Sequence, residues 1–285
     1  MTDIVVIGSV NLDLSATVGR LPEPGETITG ATLSRFPGGK GANQALAARR
    51  LGADVRLVAC VGDDAAADEA LALLREGGVD LSHVRVLEHS QTGIALICVE
   101  PSGENQIVVA PGANTAMGAD AFTVGPADAV ICQLEIPGDV IARAANDFPG
   151  FFCANLAPAK EIDVTVLQRA DLVIVNETES AWYGDTLEAC SGLVATTYGS
   201  RGASLRKGGA LIAEAKPPLV TAVDTVGAGD AFTAALTVAL VEGQEPLDAL
   251  RFACAAGAVA ATRQGAQPSL PTREEVEALL GQLRP

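Results

Sequence analysis

The sequence has no run of about 18 apolar residues, the length a helix needs to cross a bilayer, so no transmembrane span is expected even though 48% of its 285 residues are hydrophobic. Met1 through Gly8 lack a basic n-region and lead straight into a strand-like run, so no secretory leader is expected either. Histidine is scarce. His83 and His89 have no Cys, Glu or His at ligand spacing and read as surface residues, not metal ligands. The six cysteines (Cys60, Cys98, Cys132, Cys153, Cys190 and Cys254) stand far apart, mostly inside apolar runs, with no metal-type pairing. Buried thiols of a cytoplasmic protein are expected. Positive charge is in short supply: 19 Lys and Arg against 35 Asp and Glu give a net charge of −16. That argues against a nucleic-acid or anionic-membrane surface. It also sets a condition, since a bound nucleotide would need backbone N–H groups and a few cations to hold its phosphates. There is no internal repeat, low-complexity tract or long linker, and one domain spanning 1–285 with a small appendage is expected.

What is present is a rhythm of short β-branched runs and Ala/Leu-rich segments. Ile4–Ile7, Val55–Val61, Ala129–Leu134, Phe151–Asn155, Leu172–Val175 and Leu193–Thr196 read as strands. Most are apolar at successive positions, as in parallel strands covered on both faces. Gly41–Leu51, Ala65–Glu76, Gly138–Asn146, Ala231–Glu242, Leu247–Arg263 and Arg273–Leu283 read as helices, the last with a Thr272/Glu275 capping box. Such alternation implies a layered α/β fold. Residues 12–36 and 93–110 depart from it. They alternate polar and apolar residues and are broken by the turns Pro22-Glu23-Pro24-Gly25 and Pro101-Ser102-Gly103-Glu104. They read as antiparallel strands outside the main sheet, forming a small lid. Trp182 and Tyr183 read as packing residues.

Two glycine turns carry the chemistry. In Val223-Asp224-Thr225-Val226-Gly227-Ala228-Gly229-Asp230-Ala231, small residues let the backbone approach a ligand, and the N–H groups of the following helix make an anion site. Asp230, expected at the first helical position, would face the same spot. A carboxylate there suits a hydroxyl that must lose its proton while a phosphoryl group is held; equally, Asp230 could serve only as an N-terminal helix charge. Phe36-Pro37-Gly38-Gly39-Lys40-Gly41-Ala42-Asn43-Gln44 precedes another helix. It lacks the Gly and Ser/Thr of a phosphate-binding P-loop at Ser34 and Gly41, and Gly8-Ser9-Val10-Asn11 is no dinucleotide fingerprint. The turn suits backbone contact with a polyhydroxylated ligand, with Lys40 and Asn43 donating, or else a glycine-rich helix entry with a solvated lysine.

Polar residues also stand at strand ends, where open α/β sheets bind ligands. Asn11 and Asp13 share one side of an extended segment. Glu135 follows Ala129–Leu134. Asn176 and Glu179 are spaced to share one face of a helical turn and could order a magnesium hydration shell. Each could instead be a cap or a solvated loop residue.

With these residues in place, the chain resembles the ribokinase-like (phosphofructokinase-B) family of carbohydrate and nucleoside kinases over nearly its whole length. The likeness rests on Gly38-Gly39-Lys40-Gly41-Ala42-Asn43-Gln44 and Asp224-Thr225-Val226-Gly227-Ala228-Gly229-Asp230, with Pro24-Gly25-Glu26-Thr27, Gln133-Leu134-Glu135, Asn176-Glu177-Thr178-Glu179, Gly199-Ser200-Arg201-Gly202 and the stretch Arg263 through Ser269. It implies a ribokinase-like three-layer α/β/α fold with a mostly parallel sheet and a β lid that pairs between subunits of a homodimer. It implies an ATP-dependent sugar kinase acting on the 5-hydroxyl of D-ribose, with another sugar or nucleoside as the alternative acceptor. A catalytically inactive sugar-binding protein is the reading from a different class, and Asp230 argues against it because binding alone needs no base. The resemblance further implies that Asn11, Asp13, Gly39, Lys40, Gly41, Ala42, Asn43 and Glu135 bind the sugar beside Asp230. Asn176, Thr197, Tyr198, Gly199, Ser200, Arg201, Gly202, Gly229 and the Cys254 position would bind ATP. Glu179 would place magnesium through water. Asp230 would be the base, with Gly227, Ala228 and Gly229 as anion hole. Asp224, Val226, Ala260, Arg263, Gly265 and Ser269 would surround an activating potassium ion. The sequence departs from the family pattern between Glu179 and Thr197, where it is shorter than expected, and at the bulky Tyr198.

Overall fold

Six successive strand pairings are parallel, and most of the strands they join are apolar on both sides, as strands covered by helices must be. The computed structural model describes residues 2–100 and 104–282. The chain runs β1 (Asp3–Ile7), β2 (Asn11–Thr17), β3 (Thr32–Gly38), α1 (Lys40–Arg50), β4 (Asp54–Gly62), α2 (Ala65–Glu76), β5 (Val84–Leu87), β6 (Gly93–Val99) and β7 (Asn105–Ala110). It continues through β8 (Ala129–Gln133), α3 (Gly138–Asp147), β9 (Phe151–Asn155), α4 (Val164–Arg169), β10 (Leu172–Asn176), α5 (Glu177–Tyr183), β11 (Leu193–Thr197), β12 (Ala203–Lys207) and β13 (Ala210–Ala215). It closes with α6 (Ala228–Val241), α7 (Pro246–Ala260), α8 (Ala266–Ser269) and α9 (Arg273–Gly281).

The large sheet has the order β13-β12-β11-β10-β9-β8-β1-β4-β5. It is parallel from β5 to β11, and the last two pairings are antiparallel. Val6 of β1 lies beside Leu57 on one side and Ile131 on the other, and all three are buried. Helices α1, α6, α7 and α9 pack on one another in a row, while α3 and α4 form a second group over β8 and β9. This is the expected three-layer arrangement. Strand order reverses at β1, with β4 and β5 on one side and β8 through β11 on the other. That makes the carboxyl ends of β1 and β8 a topological switch point, the usual ligand crevice of such sheets.

The small sheet has the order β3-β2-β6-β7. Its outer pairs are antiparallel, but β2 and β6 run parallel, with Asp13 opposite Ala95. The all-antiparallel expectation is therefore corrected. The β2–β6 connection passes through α1, β4, α2 and β5, and a long crossover permits parallel pairing where a hairpin would not. The Glu23-to-Glu26 turn is present, with Glu26 N donating to Glu23 O at 2.9 Å; Pro101-Ser102-Gly103 lies outside the described residues.

Other boundaries shift for local reasons. Helix α6 starts at Ala228, with Gly227 as its cap, so Asp230 is the third helical residue and not the first. Strand β8 ends at Gln133, and Glu135 lies two residues beyond it. The 203–215 hairpin, β5 and α4 add to the expected elements, and α5 extends the helical turn expected at Asn176–Glu179 as far as Tyr183. Trp182 is 53% exposed and meets the buried Tyr183 edge-on with ring centroids 4.7 Å apart, so only the tyrosine packs inside. His83 and His89 are exposed, and five of the six cysteines are buried, Cys98 partly. No helix among the described residues is long and apolar enough to cross a membrane.

Candidate active site

At the switch point the backbone of α1 comes close to the chain leaving β1, and glycine permits this. Gly39 has φ 88°, and a Cβ there would stand 2.7 Å from Asn11 N; one on Gly41 would stand 2.4 Å from Ser9 N. No side chain of the preceding turn caps α1. Glu135 fills that place from β8: its Oε2 accepts Lys40 N–H at 3.0 Å and a short bond from the Ser9 hydroxyl, whose oxygen accepts Gly41 N–H at 3.3 Å. A carboxylate at this helix start is favoured by the orphan N–H groups and the dipole.

Helix α6 delivers Asp230 to the same place. Its Oδ2 accepts from Asn43 Nδ2 and its Oδ1 from Gln44 Nε2, both at 2.8 Å. Burial raises the Asp230 carboxyl above its ordinary value; Lys40 and the Asn43 and Gln44 bonds pull it back, and Glu135 pushes it up. Burial together with Glu135 and Asp230 pushes the Asp13 carboxyl to about 7, against Lys40. Burial alone would lower the Lys40 ammonium, but Asp230, Glu135, Glu179 and Asp13 hold it above its ordinary value. Lys40, half-buried at the start of α1, thus lies in the field of four acidic side chains and is not a freely solvated lysine. Asn11 Oδ1 accepts from Asn114 Nδ2 at 2.8 Å, which leaves its own amide nitrogen to donate elsewhere. The buried Asn43 Oδ1 has no partner among the described residues.

Asn176 and Glu179 form a reciprocal capping box on α5: Glu179 N donates to Asn176 Oδ1 and Asn176 N to Glu179 Oε2, both at 2.8 Å. Their spacing thus serves the helix first. Glu179 is still buried, and burial raises its carboxyl despite the Asn176 bond and Lys40. Thr197 ends β11, and Tyr198 through Gly202 make one tight turn closed by Tyr198 N to Gly202 O at 2.8 Å. Gly199, Ser200 and Arg201 form its 3-10 centre; Arg201 pairs with Glu177 and covers the Tyr198 ring at 5.6 Å. Between α5 and β11 the chain makes a 3-10 stretch, 184–189. Cys254 is buried on α7, with Sγ 3.8 Å from Ala215 O. Asp224 ties two loops, accepting from Val226 N at 3.0 Å and Gly265 N at 2.9 Å. Ala260 ends α7, Arg263 pairs with Glu275, and Ser269 Oγ donates to Ala266 O at 2.7 Å. Among the described residues no cluster of three His, Cys, Asp or Glu is arranged to hold a metal.

Five further polar residues, to which the sequence alone assigns no role, stand buried behind the site: Ser9, Gln44, Asn114, Gln133 and Asn155. Gln133 and Asn155 each close an otherwise apolar strand, and an amide ending such a run was the available signal.

A match to the pfkB family of carbohydrate kinases covers residues 1–273. The chain is 37% identical to a ribokinase of Bacillus subtilis, over 98% of this chain and all of that one, and 35% identical to a ribokinase of Haemophilus influenzae, over 95% and 96%. Among solved structures it is similar to a ribokinase of Thermotoga maritima (TM-score 0.90, 33% identity, 99% of this chain and 100% of that one). An Arabidopsis thaliana ribokinase complexed with ribose and ATP gives a TM-score of 0.86 at 32% identity, with 98% of each chain covered.

Proposed function

Because the chain belongs to the pfkB family of carbohydrate kinases, we propose that it is a ribokinase, transferring the γ-phosphoryl group of ATP to the 5-hydroxyl of D-ribose. The carrying observation is the Asp230 carboxylate, buried at the start of α6 and oriented by Asn43 and Gln44. Asp230 takes the proton of the sugar hydroxyl as its oxygen bonds to the γ-phosphorus. The bond to the β–γ bridging oxygen breaks, and ADP leaves. The N–H groups of Gly227, Ala228 and Gly229 at the helix start stabilise the transferring charge. Asn11, Asp13, Gly39, Lys40, Gly41, Ala42, Asn43 and Glu135 hold the sugar. The unpartnered Asn43 Oδ1 and the uncommitted Asn11 nitrogen are an acceptor and a donor for hydroxyls.

ATP lies along Asn176, Thr197 through Gly202, Gly229 and the Cys254 side of α7. Glu179 is a buried carboxylate with one oxygen committed to a cap. A single hard oxygen donor would hold a magnesium ion through water, and the ion would supply neutralising charge at the phosphates. Asp224 accepts from Gly265 N and so draws the two loops together; with Val226, Ala260, Arg263, Gly265 and Ser269 it would hold a potassium ion, the last several through backbone oxygens. The small sheet acts as the lid of a single kinase domain. Leu33, Leu96, Ile107, Val108 and Val109 are exposed on it, which favours pairing of two lids in a cytoplasmic homodimer.

The test is ATP turnover with a panel of pentoses, hexoses and nucleosides. Ribose should give the highest kcat/KM; a nucleoside or hexose preferred over ribose overturns the substrate, and turnover with none overturns the activity.

A further inference from the structure

We propose that Gln44, pinned by Gln133 and Asn155, is the positioning residue that aims the Asp230 carboxylate at the acceptor hydroxyl. The inference rests on Asp230 as general base. Asp230 enters from α6, but the side chains that bond its carboxylate come from α1. Gln44 Nε2 has two hydrogens and both are used, one on Asp230 Oδ1 at 2.8 Å and one on Asn155 Oδ1 at 3.0 Å. Its Oε1 accepts from Gln133 Nε2 at 2.7 Å, and Asn155 is fixed in turn by Nδ2 donating to Ile174 O at 3.2 Å. Turning the Gln44 amide over would set its oxygen against two acceptors, Asp230 Oδ1 and an Asn155 Oδ1 whose own amide is anchored on Ile174 O. The chain therefore allows one orientation, with a donor always presented to Asp230.

Packing alone does not call for this. Gln44 and Gln133 are fully buried and Asn155 is 7% exposed, and Gln133 Oε1 has no partner among the described residues. Buried amides cost stability unless bonded, and apolar side chains of the same volume would fill the space more cheaply. Three amides from α1, β8 and β9 nevertheless form one chain, which ends where Gln44 meets the Asp230 carboxylate. The charged groups facing that carboxylate are Lys40 at the start of α1, Glu135 beyond β8, Asp13 on β2 and Glu179 on α5. Against the burial and the like charges, the Gln44 donor favours the ionised form, which is the form a base needs.

The test compares Gln44→Met, Gln133→Met and Asp230→Asn with the parent protein, reading kcat and KM against pH together with thermal melting. In Gln44→Met, kcat should fall about ten- to a hundredfold, the scale of a lost bond to a charged group. The KM values for ribose and ATP should stay within about threefold, and the acid limb of the kcat profile should move up by about one pH unit. Gln133→Met, which bonds Gln44 and not Asp230, should move the limb the same way by less. A folded Gln44→Met with an unmoved limb, while Asp230→Asn is inactive, overturns the positioning role and leaves the base assignment standing. If Gln44→Met does not fold, an unmoved limb in Gln133→Met overturns it instead. Full turnover in Asp230→Asn removes the base assignment and this inference with it.

Discussion

Asn43 and Asp230 lie 187 residues apart in the chain, yet the Asn43 amide nitrogen donates to Asp230 Oδ2 at 2.8 Å. The carboxylate is therefore aimed before any ligand arrives, and the residue that aims it also holds an unpartnered carbonyl oxygen. In the proposed kinase, one side chain would thereby hold the base and offer an acceptor to the sugar.

Asp230→Asn should lower turnover by roughly 10²-fold or more, the usual scale for a lost general base. Ribose and ATP affinity, read by calorimetry with a non-hydrolysable nucleotide, should change little. Parent-like turnover in the variant would remove Asp230 from the chemistry.

Asp13 makes stability depend on pH. The native state keeps a proton on it up to about pH 7, while the ordinary carboxyl value is 3.8. Between those limits the native state binds more protons than the unfolded chain. The stability from this group is thus full below 3.8 and lost as pH rises through 7. Asp13→Asn should melt about 2–4 °C or more above the parent at pH 8, with that advantage gone near pH 4. The same variant should raise the ribose KM far more than the ATP KM. An identical melting offset at both pH values would contradict the raised carboxyl.

Gly39→Ala should be costly in two ways. The residue sits at φ 88°, and the added carbon would meet Asn11 N at 2.7 Å. Strain of about 1–3 kcal/mol should appear in chemical denaturation, and the displaced Asn11 should weaken ribose binding. Parent-like stability and ribose KM together would show that the close approach does not matter.

Asp224 joins the turn before α6 to the loop at Gly265. If potassium also bridges those loops, adding potassium chloride to enzyme in tetramethylammonium buffer at constant ionic strength should raise turnover several-fold, and sodium less. Asp224→Ala should abolish the difference between the salts. Equal rates in all three salts would remove the cation site.

The sequence was most legible where local rules decide the outcome. Ala65–Glu76 has the expected bounds, with Asp64 as its cap, and the Thr272–Glu275 box closes as written. The apolar strands were visible because both their faces are covered. The 203–215 hairpin was not, although Gly208-Gly209 marks its turn, because Arg206, Lys207 and the exposed Leu211 and Ile212 blur the alternation of an edge pair. At the site, Asp230, Asn43 and Lys40 could be read from glycine turns. Gln44, Gln133 and Asn155 could not, because an amide's role depends on which partner the fold sets against it. Asn176 and Glu179 show the converse: a spacing that could serve a ligand was also a complete local cap.

Helix α1 spans Lys40–Arg50 and finds its partners near the other end of the chain: Asn43 and Gln44 hold Asp230, and Arg50 donates to Gln267 O at 2.9 Å and Leu270 O at 2.7 Å. During synthesis the ribosome therefore makes the glycine turn around Gly39 long before the carboxylate it orients. A nascent chain stopped short of residue 230 would leave Asn43 Nδ2 and one hydrogen of Gln44 Nε2 without the carboxylate they bond, and would lack the proposed base. Catalytic competence would arrive late in translation, when α6 docks on a helix that has been waiting for it.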